Sequence, residues 1–419
     1  MTGARYDWLI AGGRVIDPAS GVDGLADLAL AGHRIAALAP ALDPRGAERV
    51  YDASGQIVMP GLVDLHIHGY HRVTPLGIDV DHYCLGRGVT TAVDAGSAGC
   101  STFAGFRAFL AERCRTRLLA FLNISCAGLA FAGLGGDTTV AGELDLIELA
   151  PVRGCVECIE ANRDRIVGVK VRLSDSCAAG GANEAEGYRR AAEAAAAAAV
   201  PLMVHHSFST VPLEECPGRL RAGDIYTHMY HGFRSTILDP QSRKLHPAVR
   251  AARDGGVLFD LGHGQGAFNW TVAELAAAEG FWPDTISTDL HSGTCEGPAY
   301  DLPTVMTRML RAGLPIPDVV RRATLEPARA IRLDDRIGTL GVGREADVAV
   351  LALEPCEVEL EDCHSQMRRI TARLVPRAVW RAGEPGAITS PRQWPNPTTI
   401  AAQRRSWARL QIRDACGVE

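Results

Sequence analysis

The sequence contains almost no lysine. Of its 43 basic side chains, only Lys170 and Lys244 are lysines, and the others are arginines. The chain therefore uses arginine wherever a generic cation is sufficient. An ammonium group differs chemically from a guanidinium, because it can lose its proton and react as an amine. Each of the two lysines is thus a candidate for a role that arginine cannot fill.

Long hydrophobic runs and an excess of positive charge are also absent. No stretch has the roughly 18 consecutive apolar residues of a membrane-spanning helix, and residues 1–10 lack the apolar core of a signal peptide. The formal net charge of −6 argues against non-specific nucleic-acid binding. We therefore expect a cytoplasmic protein that has neither a nucleic acid nor a membrane as its partner.

The cysteines do not form a recognisable framework. There are 12 of them, scattered along the chain, as is typical of reduced thiols rather than of disulfide-stapled domains. Cys155 and Cys158 make the one closely spaced pair, and no second pair accompanies them to complete a zinc site. We interpret this pair as structural.

The pattern of apolar segments predicts two kinds of structure. Residues 5–57 read as short strands joined by turns at Gly12-Gly13, Asp17-Pro18 and Asp43-Pro44. From residue 57 onward, apolar strands alternate with helical stretches, which is typical of a (β/α)8 barrel. The eight strand candidates are residues 57–68, 89–96, 118–125, 166–173, 201–207, 225–231, 257–263 and 285–291.

The chain returns to strands after the last barrel helix. We expect these strands to pair with the first ones, so the predicted fold class is α/β: a (β/α)8 TIM barrel with a small β-sandwich domain built from both chain ends. The predicted domains are residues 1–57 plus 335–390 for the sandwich and 58–334 for the barrel, followed by a tail at 391–419. A polar helix around 398–413 either packs on a neighbouring subunit, in a homo-oligomer, or lies on the surface.

The strand at residues 60–69 carries the first chemical signal. Side chains alternate along a strand, so Asp64, His66 and His68 share one face. Two imidazoles about 6.6 Å apart along a strand can hold one ion. Because His-x-His also occurs by chance on ordinary strands, the rest of the chain must decide between the two interpretations.

Polar side chains also occur at the ends of other predicted strands. In a barrel these ends meet at one rim, where active sites lie. Imidazole and carboxylate ligands suit Zn²⁺, and Mn²⁺ or Fe²⁺ can take their place. The sequence therefore predicts a metal centre made of His66, His68, Lys170, His205, His228 and Asp289.

Lys170 is an unusual member of this set, because an ammonium group cannot bind a cation. A buried neutral lysine can react with CO2 to give a carbamate, whose two oxygens can bridge two metal ions, and arginine cannot do this. The alternative is an ordinary salt bridge with Asp94 or Asp175.

The motifs together resemble a known family. Pro60-Gly-Leu-Val-Asp-Leu-His-Ile-His68 resembles the first-strand signature of the amidohydrolase superfamily, and Lys170, His205, His228 and Asp289 match its binuclear metal branch in order. The segment from Gly341 to Asp347 resembles the re-entry of that superfamily into its β-sandwich. The resemblance spans residues 5–385. It is strongest to the dihydroorotase-like and deacetylase group, some of whose members hydrolyse acetylated hydroxy-acid esters such as acetyl-(R)-mandelate.

The resemblance implies a division of roles. His66, His68 and Asp289 would hold the more buried of two divalent ions, most simply Zn²⁺, and His205 and His228 the more exposed one. An N6-carboxylysine at Lys170 and a hydroxide would bridge them. The hydroxide would attack the carbonyl carbon, and Asp289, as the catalytic residue, would carry its proton to the leaving group.

This resemblance implies a deacetylase-like hydrolase of an ester or amide bond in a small, carboxylate-bearing acylated substrate. The first alternative is a cyclic-amide hydrolase of dihydroorotase or hydantoinase type. Against pyrimidine synthesis, His68 is followed by Gly69-Tyr70-His71-Arg72 rather than by the Arg and Asn of true dihydroorotases. The second alternative is a non-catalytic barrel scaffold, which would lack metal ligands.

Three further residues are predicted to bind substrate. His231 follows His228 at the strand mouth, Arg172 shares the face of Lys170, and His263 ends the seventh strand between two glycines. The alternatives are a surface histidine for His231, a structural ion pair for Arg172 and no substrate contact for His263. His206 faces away from His205 on the same strand, so His205 is the predicted ligand.

Overall fold

A computed structural model describes residues 5–131, 142–396 and 398. Its elements form two sheets with helices around one of them. The tail helix that we predict at 398–413 lies, apart from residue 398, outside the described residues. Within the described part, no helix is both long and apolar enough to cross a membrane.

One sheet combines strands from both ends of the chain. The strands are β1 (Tyr6–Asp17), β2 (Val22–Ala31), β3 (Arg34–Ala39), β4 (Ala47–Asp52), β5 (Ile57–Pro60), β13 (Val348–Glu361), β14 (Met367–Arg381) and β15 (Glu384–Pro385). Their order in the sheet is β15-β14-β13-β5-β1-β2-β3, and β4 pairs with β1. The two predicted strands around Gly12-Gly13 are one strand, whose pairing with β2 shifts register between Ile10 and Gly13.

The second sheet is parallel and follows the order of the chain. It contains β6 (Leu62–Ile67), β7 (Val89–Gly99), β8 (Arg117–Asn123), β9 (Ile166–Leu173), β10 (Leu202–His206), β11 (Ile225–Thr227) and β12 (Leu258–Asp260). All residues of β6, β7 and β8 are buried, which is typical of parallel strands covered on both faces. The sheet curls, and the resulting α/β fold agrees with the predicted barrel class.

The prediction of a single first strand at 57–68 is wrong. Residues 57–60 belong to the small sheet, where β5 pairs with β1 and β13, and β6 begins the parallel sheet only at Leu62. Gly61 stands between them. A Cβ atom at this position would lie 2.2 Å from the hydroxyl oxygen of Thr90, so the crossing from one sheet to the other requires glycine.

The predicted eighth strand at 285–291 is present as isolated bridges only. Thr285 bridges to Asp260 of β12, and Leu290 bridges to Ile67 of β6. The backbone N–H of His68 donates to the Leu290 carbonyl, at 2.9 Å. The segment therefore contacts both edges of the curled sheet.

Nine α-helices of the described residues follow the strands of the parallel sheet. They are α1 (Val80–Tyr83), α2 (Phe103–Phe106), α3 (Val152–Ala161), α4 (Glu184–Ala197), α5 (Pro247–Asp254), α6 (Trp270–Ala278), α7 (Leu302–Ala312), α8 (Ile316–Ala323) and α9 (Leu325–Ala330). A π-helical turn, Arg107–Ala111, follows α2. Helices α8 and α9 meet at Thr324.

Helix α7 shows how the local sequence sets an element. The Asp301 carboxylate accepts a hydrogen bond from the Thr304 N–H, and Pro303 occupies the first turn. Gly313 ends the helix with a φ of 109°, a conformation that glycine adopts without strain.

Buried ion pairs join the two sheets. Arg117 at the start of β8 donates to the Asp347 carboxylate at 2.6 Å and also pairs with Glu345. The hairpin between β13 and β14 reaches the other end of the parallel sheet, where the Asp362 carboxylate accepts a hydrogen bond from the Trp270 N–H at 2.9 Å. No disulfide joins cysteines in the described part of the chain, and the Cys155–Cys158 pair lies on α3 as two thiols.

Candidate metal centre

The carboxyl ends of the parallel strands bring the predicted ligands to one place. His66 lies on β6 and Lys170 on β9, and His205 lies near the end of β10. His228 directly follows β11, and Asp289 lies in the segment that contacts both sheet edges. Three of these residues, His66, His228 and Asp289, each offer one ligand atom, and the three atoms lie within 4.8 Å of one another.

The hydrogen bonds of His66 fix where its ring carries a proton. The Thr227 hydroxyl donates to Asp260 at 2.7 Å, and His66 Nδ1 lies 3.0 Å from the same hydroxyl oxygen. The only hydroxyl hydrogen is thus used, so Nδ1–H must donate to Thr227. The lone pair of His66 is therefore on Nε2, which lies 3.2 Å from Lys170 Nζ.

His68 and Asp289 approach each other closely. His68 Nε2 lies 2.9 Å from Asp289 Oδ1, and His66 Nε2 lies 3.3 Å from the same oxygen. On the opposite side of its ring, His68 Nδ1 is 3.1 Å from the Ser97 hydroxyl. Burial raises the pKa of Asp289, but the neighbouring imidazoles outweigh it and hold that pKa well below its ordinary value. Asp289 is therefore a carboxylate at neutral pH.

His228 offers a lone pair that nothing in the described structure uses. Its Nδ1 lies 2.6 Å from the Gly262 carbonyl oxygen, which can only accept, so Nδ1 carries the proton. Its buried Nε2 has no hydrogen-bond partner among the described residues. Burial lowers the pKa of His228 to about 4, so the ring is neutral. The His205 ring lies 4.2 Å from the His228 ring, centroid to centroid.

Lys170 is fully buried among these groups. Burial lowers its pKa to about 7, so a neutral amine is accessible near physiological pH, as carbamate formation requires. Of the alternative partners, Asp175 pairs with Arg234 at 2.7 Å, and the Asp94 carboxylate accepts the Gly69 N–H at 2.7 Å. A Cβ atom at Gly96 would lie 2.8 Å from Lys170 Cγ, so this glycine leaves the space that the lysine stem occupies.

This donor set fits a divalent cation. Two imidazole lone pairs and an ionised carboxylate converge in a buried space, where water cannot offset their mutual repulsion. Neutral imidazole and carboxylate are ligands that divalent transition metals prefer. Of the predicted ligands, His66, His228 and Asp289 each bring a ligand atom to this space, and the ligand roles of His68, Lys170 and His205 stay predictions.

The three predicted substrate contacts lie in different surroundings. His231 Nδ1 accepts a hydrogen bond from the Phe233 N–H at 3.2 Å, so its Nε2 carries a proton. Arg172 Nε lies 3.2 Å from Glu143 Oε1, as the ion-pair alternative requires. The His263 ring stacks on Phe268 at 5.0 Å and its Nδ1 lies 3.0 Å from the Gly264 carbonyl.

His206 points away from the cluster. Its Nδ1 lies 3.1 Å from the Tyr226 hydroxyl, and its Nε2 lies 2.8 Å from the Val211 carbonyl oxygen. Both ring nitrogens are therefore engaged outside the rim. His205 packs edge-on against His228, and its Nε2 lies 2.6 Å from the Ser207 hydroxyl oxygen.

Several residues at the site were not predicted. Thr227, Asp260 and Ser97 carry no signal of their own, because a hydroxyl or a buried carboxylate at a strand end has many ordinary roles. His291 follows Asp289 by two residues, and its ring lies 6.3 Å from that of His68. Its place next to Asp289 in the sequence could have identified it.

Comparison with known proteins agrees with this geometry. The model of the amidohydrolase family, Amidohydro_3, matches residues 282–386. A deacetylase of Agrobacterium fabrum is 35% identical over 345 residues, which cover 82% of each chain. A deacetylase of Brucella anthropi is 33% identical over 365 residues, or 87% of this chain and 88% of its own. A crystal structure of a dihydroorotase superposes with a TM-score of 0.83 at 32% identity, covering 92% of this chain and 99% of that one.

Gly264 provides a test of the geometry. Its φ is +53°, and a Cβ atom there would lie 2.4 Å from Asp289 Oδ2. We expect Gly264→Ala to displace the carboxylate and to reduce the metal content of the purified protein, measured by elemental analysis. Gly280→Ala is the matched control, because Gly280 also has a positive φ, +70°, but faces open space. Equal metal contents in the two variants would contradict the placement of Asp289.

Proposed function

The chain belongs to the amidohydrolase superfamily, near its deacetylases, and we propose that this hydrolase cleaves the ester or amide bond of a small acylated substrate that carries a carboxylate. The observation that carries the proposal is the convergence of His66, His228 and Asp289 within 4.8 Å. The 35% identity to a deacetylase over most of both chains supports removal of an acetyl group.

We assign the predicted ligands to two divalent ions. His66, His68 and Asp289 would hold the more buried ion, and His205 and His228 the more exposed one. Lys170, as an N6-carboxylysine, would contact both. Its complete burial and its place 3.2 Å from His66 Nε2 support this assignment. Imidazole-rich sites favour Zn²⁺, with Mn²⁺ or Fe²⁺ as substitutes.

The ions would polarise the substrate carbonyl and make a water molecule a stronger nucleophile at neutral pH. The protein supplies the proton transfers. Asp289 is ionised at neutral pH, so it can accept the proton of the attacking water and deliver it to the leaving group. The Nδ1 of His231 accepts the Phe233 N–H, so Nε2–H is the group that would hold a substrate oxygen.

The substrate carboxylate would meet Arg172 or His263. Arg172 already pairs with Glu143. It would therefore have to bind the substrate carboxylate and the Glu143 carboxylate at the same time. His231, Arg172 and His263 would thus be the three side chains that contact the substrate.

We also propose the domain division that the sequence predicts. The first boundary moves from 58 to 62, because β5 (Ile57–Pro60) pairs with β1 and β13 of the small sheet. Residues 62–334 would then form the closed (β/α)8 barrel that binds the metal ions. Residues 1–60 and 335–390 would form the β-sandwich, to which the eight-stranded sheet contributes, and 391–419 a tail. A cytoplasmic location and a homo-oligomer are predictions of the same kind.

A second candidate function is hydrolysis of a cyclic amide. The superposition on a dihydroorotase structure at 32% identity favours it. Both candidates use the same metal centre, and they differ in the substrate that the rim accepts.

A substrate panel separates the two candidates. We expect O-acetyl and N-acetyl acids to be hydrolysed with a kcat/KM at least about tenfold above that for dihydroorotate, hydantoins and other cyclic imides, which corresponds to roughly 1.4 kcal/mol in transition-state binding. The measurement is product formation by the zinc-loaded protein. Turnover of the cyclic compounds alone would replace the deacetylase proposal with the second candidate.

Asp289→Asn tests the proton carrier. The amide keeps the shape of the carboxylate but cannot accept the proton, so we expect at least one equivalent of metal to remain while kcat falls by roughly 10²- to 10⁴-fold. Asp334→Asn, at a half-exposed carboxylate, is the control and should behave as the wild type. Near-normal turnover by Asp289→Asn would exclude the assigned role.

Lys170→Ala tests the carbamate, and the second lysine supplies the control. We expect loss of metal and of activity, with partial recovery when acetate or propionate supplies the missing carboxylate. Lys244→Ala changes the exposed lysine and should retain both. Full activity in Lys170→Arg would rule out the carbamate, because arginine cannot react with CO2 near neutral pH.

A further inference from the structure

Asp260 is a buried carboxylate that binds three hydroxyl groups beneath the rim. It is fully buried and accepts hydrogen bonds from Thr227, Thr285 and Ser287, each at 2.7 Å. A carboxylate buried in this way is costly unless its hydrogen bonds are satisfied. None of the predicted ligand roles uses Asp260.

The Thr227 hydroxyl connects Asp260 to His66. Thr227 ends β11 and is paired with Asp260 of β12 in the register of the sheet, whereas His66 lies on β6. His66 Nδ1 is 3.8 Å from Asp260 Oδ2 but 3.0 Å from the Thr227 oxygen. The carboxylate therefore acts on the imidazole through the hydroxyl and not directly.

We propose that Asp260 and Thr227 are positioning residues for the metal centre, which fix the tautomer of His66 and direct its Nε2 lone pair to the more buried ion. The proposal rests on the proposed function, because it requires His66 to be a ligand. The Thr227 hydroxyl gives its hydrogen to Asp260, so it accepts the Nδ1–H of His66. The negative charge of Asp260 polarises this chain and makes Nε2 a better donor to a cation.

We call the hydrogen-bonded chain from Asp260 through Thr227 to His66 the relay. The structure distinguishes it from a network that only stabilises the fold. Thr285 and Thr227 are both buried, and each donates one hydroxyl hydrogen bond of 2.7 Å to the same carboxylate. Among the described contacts, the hydroxyl of Thr227 also contacts a predicted ligand, and that of Thr285 does not. Replacing each by valine keeps the shape of the side chain and removes the hydroxyl, so the two variants differ in the contact with His66.

The experiment measures metal binding rather than turnover. Metal-free wild type, Thr227→Val, Thr285→Val and Thr227→Ser are titrated with Zn²⁺ against a chromophoric chelator, and the thermal midpoint of each metal-free protein is recorded. We expect Thr227→Val to weaken the binding of the tighter ion by about 10- to 100-fold, the usual effect of losing a ligand's outer hydrogen-bond partner. Thr285→Val should bind Zn²⁺ as the wild type does, and Thr227→Ser, which restores the hydroxyl, should recover most of the affinity.

Asp260→Asn is a second variant if valine at 227 prevents folding. It removes the negative charge of residue 260 and should also weaken the binding of the more tightly bound Zn²⁺ ion. Equal Zn²⁺ affinities in Thr227→Val and Thr285→Val would overturn the relay, as would wild-type affinity in both Thr227→Val and Asp260→Asn.

His66→Ala separates this inference from the proposed function. If His66→Ala loses the tighter ion while Thr227→Val keeps it, the metal centre stands and the relay is wrong. If His66→Ala binds Zn²⁺ like the wild type, His66 is not a ligand, and both the assignment and the relay fail.

Discussion

The rim gathers buried imidazoles around one ionised carboxylate, Asp289, in a space that suits a cation. His66 and His68 bring their Nε2 atoms to 3.3 and 2.9 Å from one carboxylate oxygen, and the His66 nitrogen carries a lone pair. Bulk water cannot separate these groups, because the residues around them are buried. A cation placed among the carboxylate and the imidazole lone pairs would attract each of them. The surrounding structure supports that arrangement of side chains.

The support includes backbone conformations that ordinary residues avoid. His228 has a φ of 71° and Asp289 a φ of 48°. Such left-handed conformations cost roughly 1–3 kcal/mol each and are common at functional sites. These conformations occur where the chain leaves β11, at His228, and directly before the bridge at Leu290, at Asp289. The hydrogen bond from His228 Nδ1 to the Gly262 carbonyl helps to hold this conformation.

The sequence predicted the parts of the fold and site that depend on periodicity and on strand ends. His66 and His68 were identified because alternation along β6 places them together, and Lys170 because the chain otherwise avoids lysine. The limits of the short strands were not predictable, because β11 and β12 end at Thr227 and Asp260 through backbone turns that apolar patterns do not encode. The crossing at Gly61 was missed for a similar reason: residues 57–67 have the pattern of one strand, and only tertiary pairing divides them between two sheets. The relay through Thr227 depends on contacts between residues 161 positions apart, which a single sequence does not reveal.

The scarcity of lysine has a practical consequence. Lys170 is enclosed at the rim, and Lys244 lies exposed before α5. Amine-directed reagents such as activated esters therefore have one lysine side chain within reach, on a loop outside the candidate metal centre. A fluorophore, a spin label or a surface tether could be attached there at a defined position without redesigning the chain.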